Sequence, residues 1–326
     1  MLAKSLASAL VALLAWAASA HAQSYPSHPI TMIAPFPPGG PTDTVARILA
    51  EHMKTTLGQT IVVENVTGAG GTIGIGRVAR AEPDGYSIVV GQWTTHVGSG
   101  AIYPLQFDVL NDFQPISLLT VSPLWIVGKS DLPANNLKEL ITWLKANPNK
   151  ATAATVGAGS AAHMCLVYFA ANTGTSMQYV PSRGGAPAQQ DVVAGQVDLS
   201  CLEASQTMAN FRAGRMKVFA VMEKQRWFGA TDVPTVDEAG APGLHFPFWH
   251  ALWGPKGMPK DVVAKLNAAV VSAFADAGVQ KRFRELGMAI PPRERLTPEV
   301  LHAYHKAEIE KWWPIIKAAN IKVQAH

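Results

Sequence analysis

Residues 33–47 read Ile33-Ala34-Pro35-Phe36-Pro37-Pro38-Gly39-Gly40-Pro41-Thr42-Asp43-Thr44-Val45-Ala46-Arg47. The apolar run at residues 30–34 predicts a buried strand, and apolar residues recur at helical spacing over residues 44–53. We therefore predict that a strand-to-helix turn joins these two elements. Its prolines fix φ at several positions, and its two glycines let the backbone approach a ligand closely.

The start of a helix at this turn predicts an anion-binding site. Thr42 or Asp43 is expected to cap the helix, so that the N–H groups of its first turn point outward and favour an anion. The candidate ligand-binding residues of this turn are Phe36, Pro38, Gly39, Gly40, Thr42, Asp43 and Thr44. The same residues also fit a tight connection that binds no ligand, and the turn alone does not separate the two interpretations.

Two later segments are expected to reach the same edge of the sheet. A β-branched strand at residues 60–64 precedes a glycine-rich turn that contains Gly70, and a strand at residues 87–90 runs towards Trp93, Thr94 and Thr95. In open α/β sheets, ligands bind outside the carboxyl ends of the strands. We therefore predict that these four residues contact the ligand, with Trp93 as a stacking surface. The alternative is that Trp93 only fills the core of its lobe.

A second glycine-rich turn resembles the first in its chemistry. A strand near residues 151–156 meets Gly157-Ala158-Gly159-Ser160-Ala161-Ala162-His163, where Ser160 is expected to cap a helix. The candidate ligand-binding residues here are Gly159, Ser160, Ala161 and His163. Two such turns on two lobes would hold opposite ends of one small anion.

A further turn carries a cation. Arg183 and Gly184 follow the strand near residues 178–181, and both are candidate ligand-binding residues. Arg183 either pairs with a ligand carboxylate through its planar guanidinium or lies on the surface against the other lobe.

Three patterns that would indicate other functions are incomplete. Ser160 and His163 lie three residues apart, but the sequence has no G-x-S-x-G elbow and no acid placed to orient the imidazole, so we predict no enzymatic activity. Residues 74–79 fit G-x-G-x-x-A inside a helical pattern rather than at the end of a strand, so no cofactor is expected. The remaining histidines lack the spacing of metal ligands, so no metal is expected.

The first residues predict export. Lys4, an apolar run at residues 6–18 and the sequence Ala20-His21-Ala22 match a signal peptide at residues 1–22 that is cleaved before Gln23. Removal of these 22 residues from the 326 would leave an exported protein of 304 residues. A chain of that length favours two lobes over one core.

Charge and cysteine content narrow the function further. The net charge of +4 includes no cluster of Lys and Arg, so nucleic acid is not an expected partner. The two cysteines, Cys165 and Cys201, would enter an oxidising compartment. A disulfide and two buried free thiols both remain open, because the sequence does not give the distance between them.

A set of motifs in fixed order resembles the Bug family, the periplasmic substrate-binding components of tripartite tricarboxylate transporters. The motifs are Ala34-Pro35-Phe36-Pro37-Pro38-Gly39-Gly40 with Thr42-Asp43, Val63-Glu64-Asn65 with Gly68-Ala69-Gly70-Gly71, Pro83-Asp84-Gly85-Tyr86, Gly195-Gln196-Val197-Asp198, Asp232-Val233-Pro234-Thr235 and Glu238-Ala239-Gly240. The resemblance extends from about Tyr25 to the C-terminus.

The resemblance implies a type II periplasmic-binding-protein fold, in which two α/β lobes joined by crossing strands enclose a ligand cleft. Lobe 1 is expected at residues 23–124 and 246–326, and lobe 2 at residues 125–245. The implied function is capture of a small carboxylate by a monomer and its delivery to the membrane permease subunits of the transporter. Presentation of the ligand to a sensor kinase would share every one of these sequence features.

Two departures from the family pattern bear on the ligand. Ser182-Arg183-Gly184 stands where relatives commonly carry Tyr-Lys-Gly, and Trp93 stands where many have a smaller residue. A bulky aromatic side chain at that position favours an aromatic carboxylate such as terephthalate or a benzoate. Aliphatic di- and tricarboxylates and acidic amino acids are the alternatives.

Overall fold

Strands and helices alternate along most of the chain in a computed structural model that describes residues 25–319. The predicted signal peptide lies outside the described residues. The first part contains β1 (Ile30–Ala34), α1 (Pro41–Leu57), β2 (Ile61–Asn65), α2 (Thr72–Ala79), β3 (Ser87–Gln92) and α3 (Ser99–Ile102). A π-helical turn, Thr94–Gly98, connects β3 to α3.

The middle of the chain begins with one long strand. Its elements are β4 (Phe113–Lys129), α4 (Leu137–Ala146), β5 (Thr152–Thr155), α5 (Ala161–Thr173), β6 (Gln178–Pro181), α6 (Gly185–Val193), β7 (Leu199–Glu203), α7 (Ala204–Arg212) and β8 (Met216–Val221). The last part consists of β9 (Pro247–Pro255), α8 (Lys260–Ala275), α9 (Ala277–Glu285) and α10 (Pro298–Ala318).

The strands form one nine-stranded sheet in the order β2-β1-β3-β9-β4-β7-β5-β6, and β8 also pairs with β4. Strand β1 is parallel to β2 and β3, whereas β9 is antiparallel to both β3 and β4. Strand β1 is almost entirely apolar and buried, as expected for a parallel strand that is covered on both faces. Below, the first lobe means β1, β2, β3, β9 and the β9-paired part of β4 with their helices, and the second lobe means the rest of the sheet with its helices.

Strand β4 joins the two lobes because it changes partners along its length. Its residues 113–123 pair with β9, and its residues 124–129 pair with β7 and β8. Strand β9 crosses back beside it and returns the chain to the first lobe, where it pairs with β3. The two lobes are therefore connected through continuous backbone hydrogen bonding, as the resemblance implied.

Helix α10 fastens the C-terminal part of the chain to this sheet. Trp312 is fully buried and packs against Phe246, and the indole N–H of Trp313 donates to the carbonyl of Val97 at 3.0 Å. Both tryptophans thus pack α10 against the core of the protein.

The cysteines are bonded to each other. A Cys165–Cys201 disulfide links α5 to β7, with 6.2 Å between the two Cα atoms. It settles the alternatives that the sequence left open. The bridge also holds the helix that begins at the second glycine-rich turn against the strand beside it.

Candidate functional site

A cavity lies between the two lobes at the starts of several helices. The volume that the centres of water molecules can occupy in this cavity is about 70 Å³. This volume has room for roughly five waters. The predicted residues that line it are Phe36, Pro38, Gly40, Thr42, Thr94, Ser160, Ala161 and Gly184. The lining also includes residues that the sequence analysis did not single out, among them Gln92, Leu124, Val156, Gly185, Glu203, Gln206 and Phe248.

The first turn is capped differently from the prediction. Gly40 is the N-cap of α1 and no side chain caps this helix, so the expected capping by Thr42 or Asp43 is wrong. The carboxylate of Asp43 instead points back and accepts the backbone N–H of Gly39 at 2.9 Å. The exposed N-terminal end of α1 is therefore left without a side-chain acceptor of its own.

Asp43 stabilises the turn from behind and does not line the cavity. Burial raises the pKa of Asp43, but hydrogen bonds from Arg47, from the Gly39 N–H and from Asn65 outweigh it and leave the pKa below its usual value. Thr44 likewise acts within the turn, because its hydroxyl donates to the carbonyl of Gly40 at 3.0 Å. Both side chains shape the loop that presents its backbone to the cavity.

A buried polar network holds the hydroxyl of Thr42. Gln92 Nε2 donates to Thr42 Oγ1 at 3.3 Å, and His250 Nε2 lies 3.2 Å from the same oxygen. The other imidazole nitrogen of His250 lies 3.1 Å from Thr120 Oγ1. Burial lowers the pKa of His250 to about 3, so the imidazole is neutral. This network was not predicted from the sequence, because Gln92 and His250 become neighbours only when β3 pairs with β9.

The second turn follows the prediction more closely. Ser160 is the N-cap of α5, and its hydroxyl accepts the backbone N–H groups of His163 and Val156, each at 3.2 Å. The imidazole of His163 does not line the cavity. Its Nδ1 accepts a hydrogen bond from the Gly159 N–H at 3.2 Å. Burial lowers the pKa of His163 to about 4. Ser160 and His163 therefore do not form a nucleophile–base pair, since the serine hydroxyl contacts only the backbone of His163.

The two lobes touch at the edge of the cavity. The N–H of Ala161, in the first turn of α5, donates to Thr94 Oγ1 of the first lobe at 3.0 Å. Tyr103, which follows α3, donates to the carbonyl of Ala158 at 3.2 Å. These bonds bring the π-helical turn of one lobe onto the glycine-rich turn of the other.

A third helix also begins at the cavity. Helix α6 starts at Gly185, and Gly184 before it has φ +150° and lies against Pro37 of the first turn. The N-terminal ends of α1, α5 and α6 thus all contribute to the lining. Within residues 25–319, the lining contains no lysine, arginine or histidine. Helix N-termini are in that case the main source of positive potential in the cavity.

Trp93 does not reach the cavity, which corrects the prediction of a stacking surface. Its side chain is fully buried, with ring centroids 4.7 Å from Phe246 and 5.5 Å from Trp312. Both partners come from much later in the chain and enclose the indole in the core. The alternative interpretation, that Trp93 fills its lobe, agrees with this packing.

Other predicted residues lie beside the cavity without lining it. Thr95 closes the π-helical turn by accepting the N–H of Gln92 at 3.0 Å. Gly70 has φ +64° and lies against Tyr103. Arg183 is exposed next to Gly184 and is absent from the lining. The structure therefore gathers the backbone of the predicted turns at the cavity and leaves their charged side chains outside.

Glu203 is the ionisable residue that the sequence analysis missed. It ends β7, lines the cavity and is 5% exposed. Burial raises the pKa of its carboxyl to about 7, while the neighbouring Ser205 and Ser122 hydroxyls lower it. A charged residue at the end of the otherwise uncharged strand Leu199–Glu203, at the sheet edge where ligands bind, was the available signal.

Known proteins share this architecture. Residues 45–321 match the TctC family, which is described as the tripartite tricarboxylate transporter family receptor. A UPF0065 protein from the ttuE-ttuC' intergenic region of Agrobacterium vitis is 38% identical over 312 residues, covering 94% of this chain and 89% of the relative.

Solved structures agree with the family match. The periplasmic binding protein BugD superposes with a TM-score of 0.86 at 39% identity, covering 92% of this chain and 100% of BugD. MatC from Rhodopseudomonas palustris with bound malate gives a TM-score of 0.86 at 36% identity, over 90% of this chain and 100% of MatC. These matches confirm the predicted periplasmic-binding-protein fold. Members of the family are periplasmic solute-binding proteins and not enzymes. The chain belongs to the TctC family of tripartite tricarboxylate transporter receptors, as the Bug-type motifs of its sequence indicated.

Proposed function

We propose that the protein is a periplasmic receptor that captures one small organic acid between its lobes and delivers it to the membrane subunits of a tripartite transporter. The observation that carries this proposal is the convergence of the α1, α5 and α6 N-termini on a cavity whose described lining has no cationic side chain. Backbone N–H groups at helix starts bind carboxylates without a salt bridge. The predicted signal peptide at residues 1–22 would deliver the chain to the periplasm.

The walls of the cavity suit an apolar ligand body. Phe36 comes from the first turn and Phe248 from the crossing strand β9, and both line the cavity. The proposal of an aromatic acid such as terephthalate or a benzoate now rests on these two rings instead of Trp93. MatC, which holds malate, makes a short aliphatic acid the alternative to compare with it.

Binding is expected to favour the closed arrangement of the lobes. Contacts to α1 come from the first lobe, and contacts to α5 and α6 come from the second, so a ligand makes all of them only when the lobes meet. Delivery to a permease and presentation to a sensor kinase would both use this closed form. Co-purification with the permease subunits, compared with a kinase ectodomain, distinguishes the two partners.

A thermal-shift screen of the mature chain tests the proposal. The panel contains benzoate, terephthalate, malate, citrate and acidic amino acids. An acid present at a hundred times its dissociation constant should stabilise the fold by about 2.7 kcal/mol. Thr42→Ala and Ser160→Ala should weaken binding of the best acid, whereas Thr142→Ala, on the exposed face of α4, should leave it unchanged. If all three variants bound the acid with wild-type affinity, the assignment of these turns to ligand binding would be refuted.

A further inference from the structure

Glu203 lines the cavity, and one oxygen of its carboxyl lacks a hydrogen-bond partner. Its Oε1 is buried and makes no hydrogen bond to any group within residues 25–319. The hydroxyls of Ser122 on β4 and Ser205 on α7 lie beside the carboxyl, but neither completes a hydrogen bond with it. Glu203 also occupies the N-cap position of α7 without capping that helix. A buried carboxyl in this state is costly unless a ligand satisfies it.

Gln206 places a second unsatisfied group next to Glu203. Its Nε2 is buried without a partner among the described residues, and its Oε1 lies so close to Gly185 that a Cβ there would collide with it. Both side chains line the cavity on its second-lobe side. Glu203 and Gln206 therefore add polar groups to a lining that also contains the aromatic side chains of Phe36 and Phe248.

The charges in the cavity restrict which ligand can use this wall. Glu203 is the one ionisable side chain in the described lining, so no protein cation neutralises it there. The helix N-termini already accommodate one ligand carboxylate. Above pH 7, where Glu203 is mostly ionised, a second ligand carboxylate would face a like charge in a poorly solvated space, and the two would repel each other strongly. A ligand ammonium would instead donate a hydrogen bond and supply the missing positive charge.

We propose that Glu203 selects ligands that combine a carboxylate with a basic nitrogen and discriminates against dicarboxylates. The ligand carboxylate lies at the starts of α1, α5 and α6, and the ligand ammonium donates to the Glu203 carboxyl beside Gln206. This inference rests on the proposed function, because it requires that the same cavity binds a carboxylate. Within that function it replaces the dicarboxylates terephthalate and malate by amino acids of similar length as the expected ligands. Specificity of this kind depends as much on repulsion of the wrong ligand as on attraction of the right one.

Matched ligand pairs test the proposal directly. Isothermal titration of the wild-type protein compares terephthalate with 4-(aminomethyl)benzoate, adipate with 6-aminohexanoate, and succinate with 4-aminobutyrate. Within each pair only the distal group changes, from carboxylate to aminomethyl. The amino member of the pair that fits best should bind at least about tenfold more tightly than the dicarboxylate. This comparison needs no variant and is therefore independent of any folding defect.

Two variants locate the effect. Glu203→Gln keeps a hydrogen-bonding side chain but removes the charge. The affinity of this variant for the amino ligand should be about thirtyfold lower than that of the wild type. The preference for the amino ligand over the matching dicarboxylate should become smaller or reverse. Glu51→Gln removes a carboxylate from the exposed face of α1 and should change neither affinity. An equal loss of affinity for the amino ligand in both variants would overturn the role of Glu203.

Monocarboxylate probes separate the failure of this inference from the failure of the proposed function. Benzoate and butyrate use only the helix N-termini, so their affinity should be equal in the wild type and in Glu203→Gln. If they bind and the wild type prefers the dicarboxylates, selection by Glu203 is refuted while carboxylate capture stands. If no carboxylate of any kind binds, the proposed function fails and this inference fails with it.

Discussion

The two glycine-rich turns begin helices at the same cavity, but they are held in different ways. Ser160 is fixed by hydrogen bonds to residues three and four positions away in its own turn. Thr42 is fixed by Gln92 and His250, which lie 50 and 208 positions away in sequence. The second turn thus depends on local chemistry, and the first depends on the assembled sheet.

Removal of the disulfide should have the largest effect, because it acts on the element behind the second turn. The bridge closes a loop with a sequence separation of 36, for which the chain-entropy relation gives about 4 kcal/mol. We expect the double variant Cys165→Ala, Cys201→Ala to lose that amount in denaturant unfolding. The wild type in excess reductant should match the variant. A loss below about 1 kcal/mol would show that packing alone holds α5 on β7.

Glu203→Gln should stabilise the unliganded protein at neutral and alkaline pH. Burial raises the folded-state pKa of Glu203 to about 7, whereas the unfolded value is near 4.5. As pH rises between these values, the unfolded chain releases its proton first, and the native state becomes less stable by about 3 kcal/mol. The variant should therefore be more stable than the wild type above pH 7 and lose this advantage near pH 4.5. Urea unfolding of both proteins above pH 7 and near pH 4.5 measures the difference in their free energies of unfolding.

His250 should make the first turn sensitive to acid. Its folded-state pKa is about 3, below the usual 6.5, so the stability it confers is complete above pH 6.5 and is lost as pH falls. Between pH 7 and pH 5 this loss amounts to about 2 kcal/mol. His250→Gln should unfold with a shallower dependence on pH across that range. His302→Gln, at an exposed position of α10, is the matched control and should keep the wild-type slope.

Ser160→Ala should produce the smallest change in stability. Loss of a serine N-cap costs about 1 kcal/mol in typical helices. Because the contacts of Ser160 are local, Ser160→Asn should restore most of that loss. A loss of several kcal/mol, without rescue by asparagine, would show that the second turn also depends on long-range contacts. Thermal unfolding monitored by circular dichroism compares the three proteins.

The same contrast explains what could be predicted from the sequence. The cap at Ser160 was predicted correctly because a serine before an apolar helix acts within one turn of backbone. The cap at residues 42–43 was predicted wrongly because Asp43 is used by Gly39, Arg47 and Asn65. Local spacing gives the type of turn but does not show which of two nearby acceptors faces the backbone.

The errors at Trp93 and Glu203 arise from contacts that are distant in sequence. Trp93 follows a strand at the ligand edge, yet Phe246 and Trp312 cover it from segments far along the chain. Glu203 was overlooked because an acid at the end of a strand is usually solvated, whereas here the folded chain leaves it only 5% exposed. The alternation of strands and helices was enough to predict α/β lobes and the edge of the sheet where ligands bind, whereas the type II fold came from the resemblance to the Bug family. Which side chains line the cavity at that edge depends on the register of β9 with β3 and β4, and the sequence pattern does not give this register.

Because strands β4 and β9 connect the two lobes, they keep the second glycine-rich turn close to a ligand that is already bound to the first. Strand β4 runs through both lobes as 17 residues of continuous strand, a length of about 55 Å. A ligand held by one lobe therefore meets the other as a tethered half-site at high effective concentration, not as an independent binding partner. The translational freedom of the second half-site is lost during folding, so ligand binding need not lose it again. Two individually weak helix N-termini can in this way retain a small solute that neither would hold alone.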